Sequence, residues 1–387
     1  MPKVNPDIQA FARIKVIGVG GSGGNAINHM IESKVSGVEF VCMNTDTQDL
    51  HKSKADKKIH IGKNLTKGLG SGMNPEVGRQ SAEETQAEIQ EVLKGADMVF
   101  IACGMGGGTG TGAVPVVARA AKEQGILTVA VVTKPFFFEG EQRMNIARQG
   151  LEALEKEVDA LIVIPNDRLL SITDKKTTFK DAFATCDEIL RQAVEGISEL
   201  ITTPGIVNID FADIRTTMSD AGSAFMGIGL ATGEKRAEEA ALAAINSPLL
   251  DIAISGAKGV LFSISGGDDL MMHEIQEAAK IITESIDHNA KVIFGTIHDD
   301  KLKKGEIKVT VIATGFDAAT QSKSLFNSAS APIAEMETRP KPSVKRENDI
   351  PEKTVKPNDG KVIEEINIDD DTDDWSAVPA FLRRKEK

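Results

Sequence analysis

The chain has 387 residues, enough for one large domain or two ordinary domains. Its 45 basic and 57 acidic side chains give a net charge of −12, which disfavours a protein that coats nucleic acid through general attraction to phosphate. The 3 cysteines contain no CxxC pair, and no apolar stretch approaches the roughly 20 residues of a membrane helix. We therefore expect neither a disulfide framework, a zinc site nor membrane insertion, but a soluble cytoplasmic protein.

The first part of the chain alternates short apolar runs with segments of helical periodicity. The runs predict five β-strands, at residues 13–19, 38–44, 97–103, 126–132 and 159–165. Strands separated by helices indicate βαβ units, and runs that are apolar almost throughout indicate strands covered on both faces. The expected fold class is α/β, with a doubly wound parallel sheet.

A long helix is predicted next, at residues 179–201, because apolar residues there recur at the i, i+3, i+4, i+7 spacing. At about 1.5 Å per residue this helix would span roughly 35 Å and cross the body of the molecule. A second set of elements follows, with strands predicted at 223–230, 259–264, 291–297 and 307–313 and helices at 234–246 and 271–286. This set predicts a smaller C-terminal α/β domain.

The composition changes from residue 318 onward, where Lys, Glu, Asp, Ser and Asn dominate and large apolar residues become rare. Such a segment cannot bury enough apolar surface to offset its ordering entropy, so residues 318–372 are predicted to be a disordered linker. Residues 373–387 regain Trp375, Phe381 and Leu382 before a basic end. An apolar island beyond a linker is typical of a peptide that docks on a partner.

Two glycine-rich segments each follow a predicted strand and precede a helical stretch. The first, at residues 18–26, satisfies G-x-G-x-x-G, a pattern that also fits a tight turn without a ligand. The second, at residues 104–113, holds six glycines together with Thr109 and Thr111. Because glycine loses the most conformational entropy on ordering, we interpret this density as a phosphate cradle built from backbone amides and the two hydroxyls.

Two such cradles at the carboxyl ends of adjacent strands predict a nucleotide at the switch point of the sheet. The chain has no G-x-x-x-x-G-K-[ST] motif, so backbone dipoles and a metal ion would meet the phosphate charge. The two glycine-rich segments are also compatible with two other functions. One is a dinucleotide-dependent oxidoreductase with Glu39 or Asp46 on the ribose, and the other is a scaffold that holds a nucleotide without hydrolysing it.

The segment GGGTGTG at residues 106–112 resembles the signature of the tubulin and FtsZ superfamily. The tail VPAFLRR and residues 65–79, 136–143, 160–170, 190–198 and 208–229 are similar to the bacterial FtsZ branch. The resemblance implies a Rossmann-like GTP-binding domain at 11–176, a central helix at 177–203 and a C-terminal GTPase-activating domain at 204–317. The linker at 318–372 and a partner-binding peptide at 373–387 would follow.

The resemblance also implies a GTPase that polymerises head to tail and forms the division ring at mid-cell, with Mg²⁺ as cofactor and with metal ligands that the sequence does not identify. Trp375 to Arg384 would bind membrane tethers and division regulators. Asp187 would select guanine, because a carboxylate can accept hydrogen bonds from N1–H and from the exocyclic amine. The residues implied to bind GTP are Gly20, Gly21, Ser22, Gly23, Gly24, Asn25, Gly104, Gly107, Gly108, Thr109, Gly110, Glu139, Arg143, Asn166, Phe183 and Asp187.

The segment NIDFAD, at residues 208–213, is the predicted source of hydrolysis. Asp210 and Asp213 stand at i and i+3 at the start of a short helix and share one face, an arrangement that helix capping alone also explains. The resemblance implies that this segment lies at the far end of the central helix from the glycine loops. We therefore expect Asn208, Asp210 and Asp213 of one subunit to act on GTP held by the next.

Overall fold

The structure is a computed structural model that describes residues 12–172, 178–203, 207, 209–247, 254–299 and 301–316. The predicted linker at 318–372, the predicted tail peptide at 373–387 and Asn208 lie outside the described residues. Within the described ranges, no helix is both long enough and apolar enough to cross a membrane.

The strands that were predicted from the sequence are all present, with ends that lie within two residues of the expected positions. The strands are β1 (Ile14–Val19), β2 (Val38–Asn44), β3 (Lys57–His60), β4 (Met98–Gly104), β5 (Leu127–Lys134), β6 (Ala160–Pro165), β7 (Gly222–Thr232), β8 (Gly259–Gly266), β9 (Lys291–His298) and β10 (Glu306–Thr314). The helices are α1 (Gly20–Glu32), α2 (Thr47–Lys52), α3 (Lys63–Thr66), α4 (Pro75–Glu84), α5 (Gln86–Leu93), α6 (Thr109–Glu123), α7 (Glu141–Glu155), α8 (Asn166–Ile172), α9 (Phe179–Thr202), α10 (Phe211–Met218), α11 (Arg236–Ile245) and α12 (Met272–Glu284).

The ten strands form one sheet in the order β3-β2-β1-β4-β5-β6-β7-β10-β8-β9. The pairs among β1 to β6 are parallel, as the apolar runs predicted. β7 joins β6 through a short parallel pairing that begins with Ala160 opposite Gly222. β10 then runs antiparallel to both β7 and β8, so the C-terminal strands extend the same sheet instead of forming a separate one.

Helices cover both faces of the parallel strands. On one face, Val16 and Phe100 belong to a buried cluster that includes Val194 of α9. On the other face, Ile17 belongs to a cluster that includes Val117 of α6. Alternate side chains of a strand point to opposite faces, so strands covered on both sides must be apolar throughout. The doubly wound architecture is therefore confirmed.

The long helix α9 has 24 residues and is about 36 Å long at 1.5 Å per residue. Thr178 caps its first turn by accepting a hydrogen bond from Asp181 N–H. We call the end of the sheet where β1, β4, β5 and β6 finish the carboxyl edge, and the opposite end the amino edge. α10 lies at the amino edge, because it directly precedes Gly222, which pairs with the first residue of β6.

Candidate functional site

A cleft opens at the carboxyl edge, between the loops that follow the parallel strands and the first turns of α9. Its lining includes eight residues that the sequence predicted, which are Ser22, Asn25, Gly104, Glu139, Arg143, Asn166, Phe183 and Asp187. It also includes five residues that the sequence missed, which are Met105, Thr133, Pro135, Cys186 and Leu190. The structure thus brings together residues separated by more than 160 positions in the chain.

The first glycine loop turns directly from β1 into α1. Gly20 has φ +75°, a left-handed conformation that glycine adopts without strain. A Cβ atom on Gly23 would lie 2.4 Å from the carbonyl oxygen of Ala102, so α1 can approach β4 only with glycine at this position. The start of α1, with Ser22 and Asn25, therefore reaches the cleft, and its free N–H groups form a favourable environment for an anion.

The second glycine loop joins β4 to α6, and contacts within the protein explain most of its glycines. A Cβ atom on Gly112 would lie 1.9 Å from the carbonyl oxygen of Pro75, one on Gly108 would lie 2.3 Å from Ser71 Oγ, and Gly106 has φ +94°. The density of glycine in this loop, which the sequence analysis attributed to a phosphate cradle, is thus largely required by packing. Gly107 differs, because a Cβ atom there would have no described atom within 4 Å, which leaves room for a ligand.

The two threonines of this loop hold the loop itself. Thr109 Oγ1 is 2.7 Å from Thr45 Oγ1 and 2.9 Å from Ser71 Oγ. Thr111 Oγ1 accepts a hydrogen bond of 2.9 Å from Gly106 N–H. The oxygen of Thr111 thus supports the loop backbone, a structural role that differs from the phosphate contact expected from the sequence.

On one side of the cleft, an ion pair orients two charged side chains. Glu139 Oε2 is 2.8 Å from Arg143 Nη1, and Glu139 Oε1 accepts a hydrogen bond of 2.8 Å from Phe136 N–H. Arg143 Nε is buried and has no hydrogen-bond partner among the described residues. Because a buried donor without a partner is costly, this nitrogen is a candidate contact for an anionic ligand.

An aromatic ring and two polar side chains, Phe183, Asn166 and Asp187, also line the cleft. Phe183 packs edge-on against Phe136, with ring centroids 5.2 Å apart. Asn166 is only 4% exposed, and within the described part of the chain its Oδ1 atom lacks a hydrogen-bond partner. Burial raises the pKa of Asp187 to about 6, and the charge of His29 opposes that rise. A flat ligand with several hydrogen-bond donors would satisfy these groups.

Cys186, which sequence reasoning did not assign to the cleft, lines it beside Asp187. Burial raises the pKa of its thiol to about 12, and its Sγ atom donates a hydrogen bond to the Ala182 carbonyl. Since the thiolate is the nucleophilic form of cysteine, Cys186 is part of the cleft wall and not a nucleophile.

The acidic residues predicted to serve hydrolysis do not join the cleft. Asp210 caps α10 by accepting a hydrogen bond of 3.0 Å from Ala212 N–H, and Asp213 is exposed in the first turn. Both lie at the amino edge, whereas Asn166 follows the carboxyl end of β6. A six-residue strand at about 3.3 Å per residue separates these edges by roughly 20 Å. No side chain covers that distance.

The site offers little to hold a metal ion by protein ligands alone. Across the described ranges, no group of three or more His, Cys, Asp and Glu side chains could hold a metal ion. Mg²⁺ usually keeps several water ligands and binds substrate phosphates with one or two protein groups. The donor set therefore fits a metal that arrives with a nucleotide better than a permanent protein cage.

Two glycine-rich loops beside a cleft at the carboxyl edge of a doubly wound sheet define a nucleotide-binding protein. Residues 13–174 match the Tubulin/FtsZ family, GTPase domain, and residues 222–317 match the FtsZ family, C-terminal domain. The dinucleotide-dependent oxidoreductase is thereby set aside.

Solved structures agree with these matches. An empty FtsZ dimer from M. jannaschii is 46% identical, covers 80% of this chain and 89% of its own, and has a TM-score of 0.76. A point mutant of M. jannaschii FtsZ is also 46% identical, with coverages of 81% and 93% and a TM-score of 0.77. CetZ2 from Haloferax volcanii, 22% identical with coverages of 81% and 96% and a TM-score of 0.68, shares the fold. The chain belongs to the FtsZ family and is a GTPase.

Proposed function

We propose that this chain is a cytoskeletal GTPase that polymerises head to tail and hydrolyses GTP at the contact between successive subunits. One observation carries the proposal: the cleft and the pair Asp210 and Asp213 lie at opposite edges of one sheet. Acids that cannot reach the nucleotide of their own chain can reach that of a neighbour stacked in the same orientation. Repetition of such a heterologous contact produces a filament.

Exposed apolar side chains at the carboxyl edge support a contact there. Leu69 is 85% exposed and forms a β-bridge with Asp46, just beyond the end of β2. Phe137 is 73% exposed and follows the end of β5. Large apolar side chains exposed together at one surface often mark a protein interface.

Two exposed apolar side chains, Val292 and Phe294, lie toward the amino edge in the first half of β9. Val292 pairs with the second residue of β8, and Phe294 pairs with the fourth. β8 begins beside α10, so this group lies on the same side of the molecule as Asp213. Stacking two subunits would remove both apolar groups from water, at about 25 cal/mol per Å² of apolar surface.

Within the cleft, we assign the phosphates to the two glycine loops, including Gly20, Gly104, Gly107 and Thr109. Glu139 and Arg143 would lie near the ribose and the phosphates. Asn166 and Asp187 would read guanine, and Phe183 would pack on the base. Asn166 Oδ1 and Arg143 Nε, which have no hydrogen-bond partner in the part of the chain that the structure describes, support these roles, since both are buried polar atoms that a nucleotide would satisfy.

At the contact, Asn208, Asp210 and Asp213 of the next subunit would orient a water molecule against the γ-phosphorus. The water oxygen forms the new P–O bond, the bond to the β–γ bridging oxygen breaks, and a carboxylate takes the water proton. Mg²⁺ bound with the nucleotide would offset phosphate charge. Because phosphoryl transfer depends mostly on positioning and electrostatics, supplying these groups from a neighbour makes hydrolysis depend on assembly.

In the cell, we propose that these filaments form the division ring in the cytoplasm at mid-cell. The proposed limits are a GTP-binding domain at 11–176, a central helix at 177–203 and a GTPase-activating domain at 204–317. Residues 318–372 would link this body to a peptide at 373–387 that binds membrane tethers and division regulators. Many tails along one filament would bind a tethered surface by avidity even if one tail binds weakly.

A mixing experiment tests the shared site. Asp213→Ala keeps the cleft but removes the acid, and Gly107→Asp keeps the acid but places negative charge where the phosphates would bind. Gly107 suits this purpose because a side chain there meets open space, whereas Gly108 would clash with Ser71. Each variant alone should be nearly inactive.

In an equal mixture, random head-to-tail pairing should make about one quarter of the contacts competent. Phosphate release should therefore recover to about a quarter of the wild-type rate. Glu277→Ala, an exposed acid on α12, is the matched control and should hydrolyse GTP at the wild-type rate. No recovery in the mixture, or full activity of Asp213→Ala alone, would contradict the proposal.

A further inference from the structure

A side-chain hydrogen bond joins the helix that begins at the first glycine loop to the helix that carries Asp187. His29, in the third turn of α1, places Nε2 3.0 Å from Glu188 Oε2 on α9. Glu188 is the residue next to Asp187, and Phe183 lies one turn earlier on the same helix. The contact therefore connects the proposed phosphate-binding helix with the proposed base-binding helix, behind the cleft.

The position of the proton in this hydrogen bond follows from the state of Glu188. Burial raises the pKa of Glu188, but hydrogen bonds from Arg191, His29 and Gln192 outweigh it and hold this pKa at about 2. Arg191 alone makes bonds of 2.8 and 2.6 Å to the two carboxylate oxygens. An ionised carboxylate only accepts hydrogen bonds, so His29 Nε2 carries a proton and donates it.

We propose that His29 is a positioning residue for guanine recognition. Through its hydrogen bond to Glu188 it holds the first turns of α9, and with them Asp187, against the phosphate-binding helix. When its ring is protonated, its charge also favours the ionised form of Asp187, which is the form that accepts hydrogen bonds. This inference rests on the proposed GTP site and adds a residue that does not line the cleft.

The charged groups around His29 come from both helices. Glu188 and Asp187 face it from α9, and Glu32 lies one turn away on α1. Two of these acids already have a cation, because Arg191 pairs with Glu188 and Lys54 pairs with Glu32 at 2.7 Å. Asp187 instead lines the cleft. The charge of His29 should therefore matter most for Asp187.

Inosine nucleotides provide a direct measure of this positioning. Guanine offers Asp187 two donors, N1–H and the exocyclic amine, whereas hypoxanthine keeps N1–H and lacks the amine. A well-placed carboxylate should bind GDP more tightly than IDP, and a displaced one should lose that preference. Nonspecific destabilisation of the fold would weaken both nucleotides equally and leave their ratio unchanged.

The test compares His29→Ala, His29→Gln and the control His273→Ala, an exposed histidine on α12. Kd values for GDP and IDP are measured on the full chain below its assembly concentration, between about pH 5 and pH 8. His29→Ala should raise the Kd of GDP about tenfold and shrink the IDP:GDP ratio of Kd values. His29→Gln should restore the ratio near neutral pH, because its amide can also donate to Glu188.

The loss of GDP binding at low pH separates the two effects of His29, which are the position that it gives to Asp187 and the charge that it places near Asp187. A positive His29 lowers the pKa of Asp187, so removing that charge should move the midpoint of GDP binding to higher pH in both His29 variants. If folded His29→Ala protein keeps the IDP:GDP ratio of Kd values and the pH midpoint of GDP binding, while Asp187→Asn loses the ratio, the role of His29 is overturned and the guanine contact of Asp187 stands. A wild-type chain that binds GDP and IDP equally would instead overturn the proposed guanine contact of Asp187, and the role of His29 with it.

Discussion

The two edges of the sheet differ in how completely one chain organises them. At the carboxyl edge, Asn166 and the Glu139–Arg143 pair are held in a cleft whose walls come from five parts of the chain. At the amino edge, Asp210 and Asp213 are exposed on an eight-residue helix, where Asp210 bonds to the backbone of its own first turn. One chain therefore completes the cleft by itself but leaves the acidic pair exposed, an asymmetry that the proposed hydrolysis at a subunit contact requires.

The largest expected effect comes from the amino edge. Asp213→Ala should lower GTP turnover on the order of 100-fold, because in the proposed mechanism it removes a group that positions or deprotonates the attacking water. Its Kd for GTP should stay at the wild-type value, since α10 lies across the sheet from the cleft. Phosphate release measured beside nucleotide binding checks this, and a parallel loss of affinity would break the separation between the edges.

The carboxyl edge should show the converse behaviour. Asp187→Asn should raise the Kd of GTP about tenfold or more, because its amide turns a donor toward the donors of guanine. Xanthine carries a carbonyl oxygen where guanine has the amine, so the variant should gain affinity for xanthosine nucleotides. Competition binding measures both changes, and an unaltered preference for GTP would exclude Asp187 as the guanine contact.

The pH dependence of binding sharpens the same contrast. The pKa of Asp187 is raised to about 6 by burial, so its carboxylate is protonated and loses acceptor capacity as pH falls through this value. GTP affinity should therefore fall below about pH 6, and Asp187→Asn should remove that dependence. Titrations over this range check it, and an identical acid limb in the variant would assign the effect to another group.

A smaller effect, on the free energy of unfolding, should distinguish Gly112, which packs against neighbouring backbone, from Gly107, where a side chain would meet open space. Gly112→Ala places a Cβ atom 1.9 Å from the Pro75 carbonyl oxygen between α6 and α4, and should cost about 1–3 kcal/mol in the free energy of unfolding. Gly107→Ala should leave the unfolding free energy nearly unchanged and weaken nucleotide binding. Urea unfolding of both proteins is the measurement, and equal destabilisation would contradict this division.

The smallest effect on assembly is expected from the tail. Deleting residues 373–387 should leave polymerisation and GTP turnover at wild-type levels, because both edges lie within the residues that end at 316. The same deletion should abolish binding to a membrane tether. Co-sedimentation of filaments with a tether protein tests this, and undiminished tether binding would reject the tail as its site.

The sequence predicted the central strands well because a parallel strand buried on both faces, such as Met98–Gly104, must be a continuous apolar run. It missed β3, which has only four residues, two of them exposed lysines at the sheet edge. It also missed that β7 continues the first sheet. That pairing depends on Ala160 and Gly222, which local patterns cannot bring together.

The cleft was predicted in part for similar reasons. Thr133 and Pro135 could have been found, since they stand at and just beyond the carboxyl end of β5, where such sites form. Cys186 and Leu190 share a helix face with Phe183 and Asp187, a signal that helical spacing contains. The packing role of Gly112 could not be predicted, because it depends on the distant Pro75.

The most direct test of the shared site measures GTP turnover per subunit as a function of protein concentration, with assembly followed by light scattering in the same samples. If each chain holds only half of the hydrolytic apparatus, turnover per subunit should be close to zero below the assembly concentration and should rise with the fraction of assembled protein. A turnover per subunit that stays constant at the assembled rate through the monomeric range would contradict the account.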